Sequence, residues 1–136
     1  MNDFTLERLE KNYPFLYREA EDIKELNSEE IVIKTIHNNF YIFNENENTI
    51  LRVPLNEDPD EYIFRRQFGK GIRRMMSIRG LTQRDLSELT GLHQPQLSGY
   101  INGRNLPSPY VLEKLAKVLK CKVDDFYFYY QIELRL

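Results

Sequence analysis

The 136-residue chain has one cysteine, two histidines and no tryptophan. A single thiol, Cys121, makes no intramolecular disulfide and no cysteine-cluster zinc site; a small buried hydrophobe is its expected role. His37 falls in a turn with no partner histidine. No apolar run approaches the length needed to cross a bilayer. The start, MNDFTLERLE, lacks the basic and apolar regions of a signal peptide, so a cytoplasmic location and no membrane partner are expected. No nucleophile–base pair, phosphate loop or metal-ligand spacing occurs, so no enzyme activity, cofactor or metal is expected.

What the chain does have is charge, unevenly placed. The net charge of −2 hides a split. Residues 1–64 hold 6 lysines and arginines against 15 aspartates and glutamates, a balance of −9, whereas residues 65–136 hold 13 against 6, a balance of +7. Such asymmetry is a sign of nucleic-acid interaction, because a basic surface displaces condensed counterions from phosphates.

In the first half, Leu6, Leu9 and Tyr13 have helical spacing, Pro14 interrupts, and Leu16, Ala20, Ile23 and Leu26 resume the period. Two short helices, or one kinked at Pro14, are expected. IVIKTI (31–36), FYIF (40–43) and TILRV (49–53) are β-branched and aromatic, separated by the turns HNN and NENEN. They predict a three-stranded antiparallel meander with helix cover. LNEDPDE (55–61) reads as a linker, placing a boundary near Asp60. The expected domains are therefore 1–60, acidic and α+β; 61–126, helical; and 127–136, a strand or arm, since FYFYYQIELRL alternates.

In the second half, Phe64, Phe68, Ile72 and Met75 share one helical face, with Lys70, Arg73 and Arg74 elsewhere on it, and Gly80 ends the helix. Thr82 and Asp85 form an acidic variant of the capping box. Leu86 and Leu89 are expected to face inward, Gly91 to make a sharp turn, and a second short helix to carry Leu97 and Tyr100. Two short helices joined by a tight Gly-containing turn are a helix-turn-helix unit.

The stretch LTQRDLSELTGLHQPQLSGYINGRNLPSPYVLEKLAKVLKCKVDDF resembles the helix-turn-helix domain of the phage Cro and C1 repressor family, also called the xenobiotic-response-element family. The resemblance rests on the Leu-Thr-Gln start, small Ser87, Gly91, the Gln-Pro opening of the second helix, Asn102-Gly103 closing it, Pro107, the helix 110–120 and the ending VDDF. It implies an all-α, five-helix, lambda-repressor-like DNA-binding domain; with the small N-terminal helix plus antiparallel β-meander domain read above, the expected fold class is α+β. It also implies two partners: a double-stranded operator and a second copy of the chain. The Gln-Pro pair resembles antitoxins in the family as well.

The second helix of such a unit lies in the major groove, with its first residues at base edges. Gln94 precedes a proline, which disfavours helical backbone there, so Gln94 is the expected N-cap and Pro95 the first helical residue. Gln94 and Gln96 are then the expected base readers, since glutamine pairs bidentately with adenine. His93 and Ser98 lie within reach of the groove. By resemblance Gln83 takes a backbone-phosphate contact at its helix start, and Arg104 and Asn105 take further phosphate contacts. Gly99 stands where many members carry a base-reading side chain. Met76 and Ile101 stand where many carry an Arg–Glu pair, and are expected to form an apolar contact instead. The expected function is operator binding as a transcriptional (auto)repressor. The alternative is an antitoxin or phage-type inhibitor whose acidic residues 1–60 block a protein partner while the helical domain autoregulates its operon.

Overall fold

The computed structural model describes residues 3–127. In chain order these form α1 (Asp3–Asn12), α2 (Pro14–Glu19), β1 (Ala20–Glu25), β2 (Glu30–Thr35), β3 (Phe40–Asn44), β4 (Thr49–Arg52), α3 (Pro59–Arg79), α4 (Gln83–Thr90), α5 (Gln94–Ile101), α6 (Pro109–Val118) and a 3-10 helix, Val123–Tyr127. The α+β class follows the sequence reading. Two compact units result, one running to Pro59 and the other beginning at Asp60. The expected arm over 127–136 lies, beyond Tyr127, outside the described residues.

The first unit is an antiparallel sheet in the order β1-β2-β3-β4. Asn38 (φ 61°) and Asn48 (φ 54°) occupy the turns on either side of β3, where asparagine tolerates left-handed backbone. Ile31 pairs with Phe43 across β2 and β3. Together with Ile33 they pack against Leu9 of α1 in one buried cluster. Tyr13 meets Phe43 edge-on at 5.8 Å and donates its hydroxyl to Asn48 O at 2.8 Å. The Thr5 hydroxyl donates to the Glu45 carboxylate at 2.8 Å. These bonds fix α1 to the β3–β4 turn.

One expectation fails here. Two short helices form, but the second, which carries Leu16, does not run on through Ala20, Ile23 and Leu26. Helix α2 stops at Glu19, Ala20 turns extended (φ −63°, ψ 120°), and residues 20–25 become a fourth strand with Ile23 opposite Ile33. The apolar spacing is compatible with a helix, but the free edge of β2 offers a full ladder of backbone partners, and that pairing wins over local period.

The second unit begins earlier than its apolar period suggests. Pro59 opens α3, with Asp60 and Glu61 in the first turn. Proline at a helix start costs no hydrogen bond, and the carboxylates suit the positive end of the helix dipole. Thus the linker read over 55–61 is partly a helix start. Phe68, Ile72, Leu86, Leu97, Leu115, Leu119 and Phe126 form the centre of the core, with Met76 and Ile101 both buried in it. Phe68 and Phe126 meet edge-on at 5.5 Å.

Leu89 is not inward-facing: it is 60% exposed. The inward slot in the last turn of α4 belongs to Thr90, four residues after Leu86 and on its face. Thr90 is buried, and its hydroxyl donates to Leu86 O at 2.7 Å, which removes the cost of burying it. Cys121 is half-buried beside the core. Burial pushes its thiol pKa up, the Asp125 carboxylate adds to this, and Arg79 opposes it. The result is less of the reactive thiolate.

Candidate nucleic-acid interface

The start of α4 is set by a reciprocal cap. Thr82 Oγ1 accepts from Asp85 N at 3.0 Å, and the Asp85 carboxylate accepts from Thr82 N at 2.9 Å. Two orphan donors of the first turn are thereby satisfied. The Asp85 pKa is lowered, first by the bond from the Thr82 backbone and then by the Thr82 side chain; burial opposes this, and Arg84 adds a lesser lowering. A carboxyl with a depressed folded pKa contributes stability above its ordinary value and loses it as pH falls through the lowered one. Wild type should therefore melt higher than Asp85→Asn at neutral pH, and the gap should close as pH drops below about 4. Thermal melts of both proteins across that range check this; a gap independent of pH would contradict it.

The turn between α4 and α5 is fixed by one glycine and two hydroxyl side chains. Gly91 takes left-handed backbone (φ 76°) at the end of α4, with its N–H on Ser87 O at 2.8 Å; glycine adopts this geometry without a Cβ clash. The Ser87 hydroxyl donates to Leu92 O. Leu92 N donates back to Thr90 Oγ1 at 3.2 Å. Small Ser87 is thus a turn residue rather than a passive gap.

Helix α5 begins one residue earlier than expected. His93 is the N-cap (φ −69°, ψ 143°) and makes no side-chain cap bond, while Gln94 is already helical. His93 O accepts the first helical bond, from Leu97 N at 3.0 Å. Pro95 then sits in the first turn, where its missing N–H would have had no helical partner in any case. His93, Gln94 and Gln96 are exposed, whereas Leu97, Tyr100 and Ile101 point into the core.

The structure brings the seven sequence-read residues together as two groups. At the first, Gln83 Nε2 donates to Gln94 O at 3.2 Å, joining the start of α4 to the start of α5, with His93 adjacent in the chain. Gln96 Nε2 donates to the Tyr100 hydroxyl at 2.9 Å. That bond uses one of two amide hydrogens and leaves the second hydrogen and the carbonyl oxygen for another molecule. At the second, the half-buried Ser98 hydroxyl accepts from Asn102 Nδ2 at 3.0 Å and from the Arg104 guanidinium at 3.3 Å. Asn105 is exposed, and its backbone N–H and that of Arg104 both reach Gly99 O.

Gly99 itself is buried. A Cβ there would point at the Asn105 side chain, 2.9 Å from its amide nitrogen. The position therefore faces the following loop of the protein, and is not a groove-facing site left without a side chain.

Two residues of the second group are not among the sequence-read site residues. Asn102 caps the end of α5, donating to Ser98 O at 2.9 Å and accepting from the Arg73 guanidinium at 2.6 Å. Arg73 belongs to α3, 29 residues away. Its charge was visible in the sequence, but its position at the end of α5 depends on tertiary packing. Arg65, also on α3, donates to Gly103 O at 3.0 Å. Three guanidinium groups thus gather at the C-terminal end of α5. Among the described residues no group of three or more histidine, cysteine or acidic side chains is placed to hold a metal ion, and no helix is long and apolar enough to cross a membrane.

The comparisons with known proteins concern this same segment. Residues 72–126 match the family model described as Helix-turn-helix. Among solved structures, the chain is similar to an HTH_3 family transcriptional regulator from Vibrio cholerae (24% identity, TM-score 0.46), over 49% of this chain and 38% of that one. It is similar to the restriction-modification controller protein C.AhdI from Aeromonas hydrophila (28% identity, TM-score 0.46), over 48% of this chain and 98% of that one. A third is the clp gene regulator ClgR from Corynebacterium glutamicum (26% identity, TM-score 0.45), over 48% and 69%. The chain therefore spans well under half the length of the Vibrio protein. No curated protein gives a significant match. With its reciprocal cap, left-handed glycine turn and shared core, the segment 72–126 is a helix-turn-helix domain of the Cro/C1 type.

Proposed function

We propose that the protein regulates transcription by binding a specific duplex operator, with α5 in the major groove and the chain acting as a homodimeric repressor. The observation that carries this reading is the exposed first turn of α5, where Gln94 and Gln96 stand clear of the core on a rigidly held helix. Glutamine offers a donor and an acceptor side by side, the pattern that adenine presents in the major groove. Gln83 and the N-terminal N–H groups of α4 suit a phosphate on one side; Arg104, Arg73 and Ser98 suit the backbone on the other. His93 lies between the two helices. Phosphate contacts set register and base contacts set specificity. Dimeric proteins of this architecture read half-sites about one helical turn, roughly 34–36 Å, apart.

The acidic residues 1–60 support a second reading, in which they block a protein partner, in the manner of an antitoxin or phage inhibitor, while the helix-turn-helix domain controls the operon. Their 6 lysines and arginines against 14 aspartates and glutamates, a balance of −8, favour it.

Binding-site selection from a randomised duplex library tests the first reading. The full chain should enrich a two-fold-symmetric site whose affinity falls steeply with salt, with log K linear in log salt concentration. Recovery of no preferred sequence would overturn operator reading.

A further inference from the structure

The second unit carries a groove of about 900 Å³ beside α6, away from the residues assigned above to DNA. Its floor is apolar, made by Leu81, Leu89, Tyr110 and Val118. Leu89 and Tyr110 are 60% and 73% exposed, a cost that nothing in the fold of the unit requires. The rim is basic. Lys114, Lys117, Lys120 and Arg79 line it, with Glu113 the single carboxylate among the lining residues. Arg79 is held in place there, its guanidinium donating to Leu119 O at 2.8 Å and Lys120 O at 2.7 Å, where a cation suits the end of a helix. Lys114 lies over the Tyr110 ring at 5.7 Å. An apolar floor inside a cationic rim is complementary to one chemical pattern: an apolar ridge flanked by carboxylates.

We infer that this groove is a docking surface for an acidic amphipathic helix of a partner protein, its apolar residues on Leu89 and Tyr110 and its carboxylates on Lys114, Lys117 and Lys120. Helix-in-groove recognition anchors residues at i, i+3, i+4 and i+7, and rim charges of opposite sign set orientation and on-rate. A duplex would satisfy the lysines but has no apolar ridge for the floor, so the chemistry of the floor selects protein over nucleic acid. The inference does not depend on what α5 reads.

The test uses the full chain and a fluorescent synthetic peptide of about 14 residues, long enough to take up a helix on binding, with leucines at those four spacings and glutamates flanking them. One control replaces the glutamates by lysines; another scrambles the leucines at equal composition. Anisotropy titration should give binding of the acidic amphipathic peptide at least about tenfold tighter than either control. Leu89→Glu, at an exposed position with little effect on folding, should weaken it about tenfold or more, as should Lys114→Glu with Lys117→Glu; Gln94→Ala should leave it unchanged. Equal affinity for the scrambled peptide, or indifference to Leu89→Glu, would overturn the inference. So would a loss of duplex binding, with peptide binding untouched, in the lysine variant, which would assign the rim to nucleic acid.

Discussion

Alanine at Gly71 is expected to cost about 3 kcal/mol of folding stability, at the upper end of what overpacking does, and alanine at Gly69 a similar amount. Neither glycine serves a turn. Both lie inside α3, where glycine weakens a helix by about 1 kcal/mol relative to alanine, so propensity alone predicts that each substitution stabilises. Packing reverses the sign. A Cβ on Gly71 would stand 2.1 Å from Phe126 O, and one on Gly69 would stand 2.2 Å from Ile101 O and 2.8 Å from Tyr100 O. These are backbone atoms, unable to swing aside as side chains do. The two glycines let α3 approach the end of α5 and the closing 3-10 helix at backbone distance. Gly99→Ala is the control: its Cβ would meet only the tip of the Asn105 side chain, so the helix gains propensity and loses little. Chemical denaturation of the three variants should give large losses at 69 and 71 and a change near zero or favourable at 99. Equal effects at all three would contradict this account of the core.

The second large effect concerns DNA. Gln94→Ala combined with Gln96→Ala should lower affinity for the selected operator on the order of a hundredfold or more, since each bidentate base contact discriminates by about 1–3 kcal/mol. Binding to unrelated duplex should persist with its salt slope unchanged, because neither residue is charged. The fold should also persist: both side chains are exposed, and among the described residues Gln96 bonds only the Tyr100 hydroxyl. Titration of specific and unrelated duplexes with both proteins separates loss of reading from loss of binding.

The helix-turn-helix segment was legible because its signals are local. Thr82 and Asp85 announce a cap, Gly91 a left-handed turn, Leu86 and Leu97 an inward face. Errors there were confined to helix ends: the N-cap falls on His93 rather than Gln94, and Thr90 takes the inward place read for Leu89. Less was legible where tertiary pairing decides. Residues 20–25 carry an apolar spacing that suits a helix as well as a strand, and only the edge of β2 settles it. Gly69 and Gly71 look like poor helix formers until Ile101 and Phe126 arrive against them. Arg73 and Asn102 join across 29 residues of chain, a separation at which sequence spacing carries no information.

The central claim is that the first turn of α5 reads base edges in the major groove. It is tested most directly by a cycle in which each operator purine is replaced in turn by its 7-deaza analogue, removing the N7 acceptor, and binding is measured for wild type and for the Gln94→Ala, Gln96→Ala protein. One or two positions per half-site should cost wild type about tenfold or more and the variant nothing further, a coupling expected of groups in contact. Losses that are equal in the two proteins at every position would mean that α5 does not read these bases.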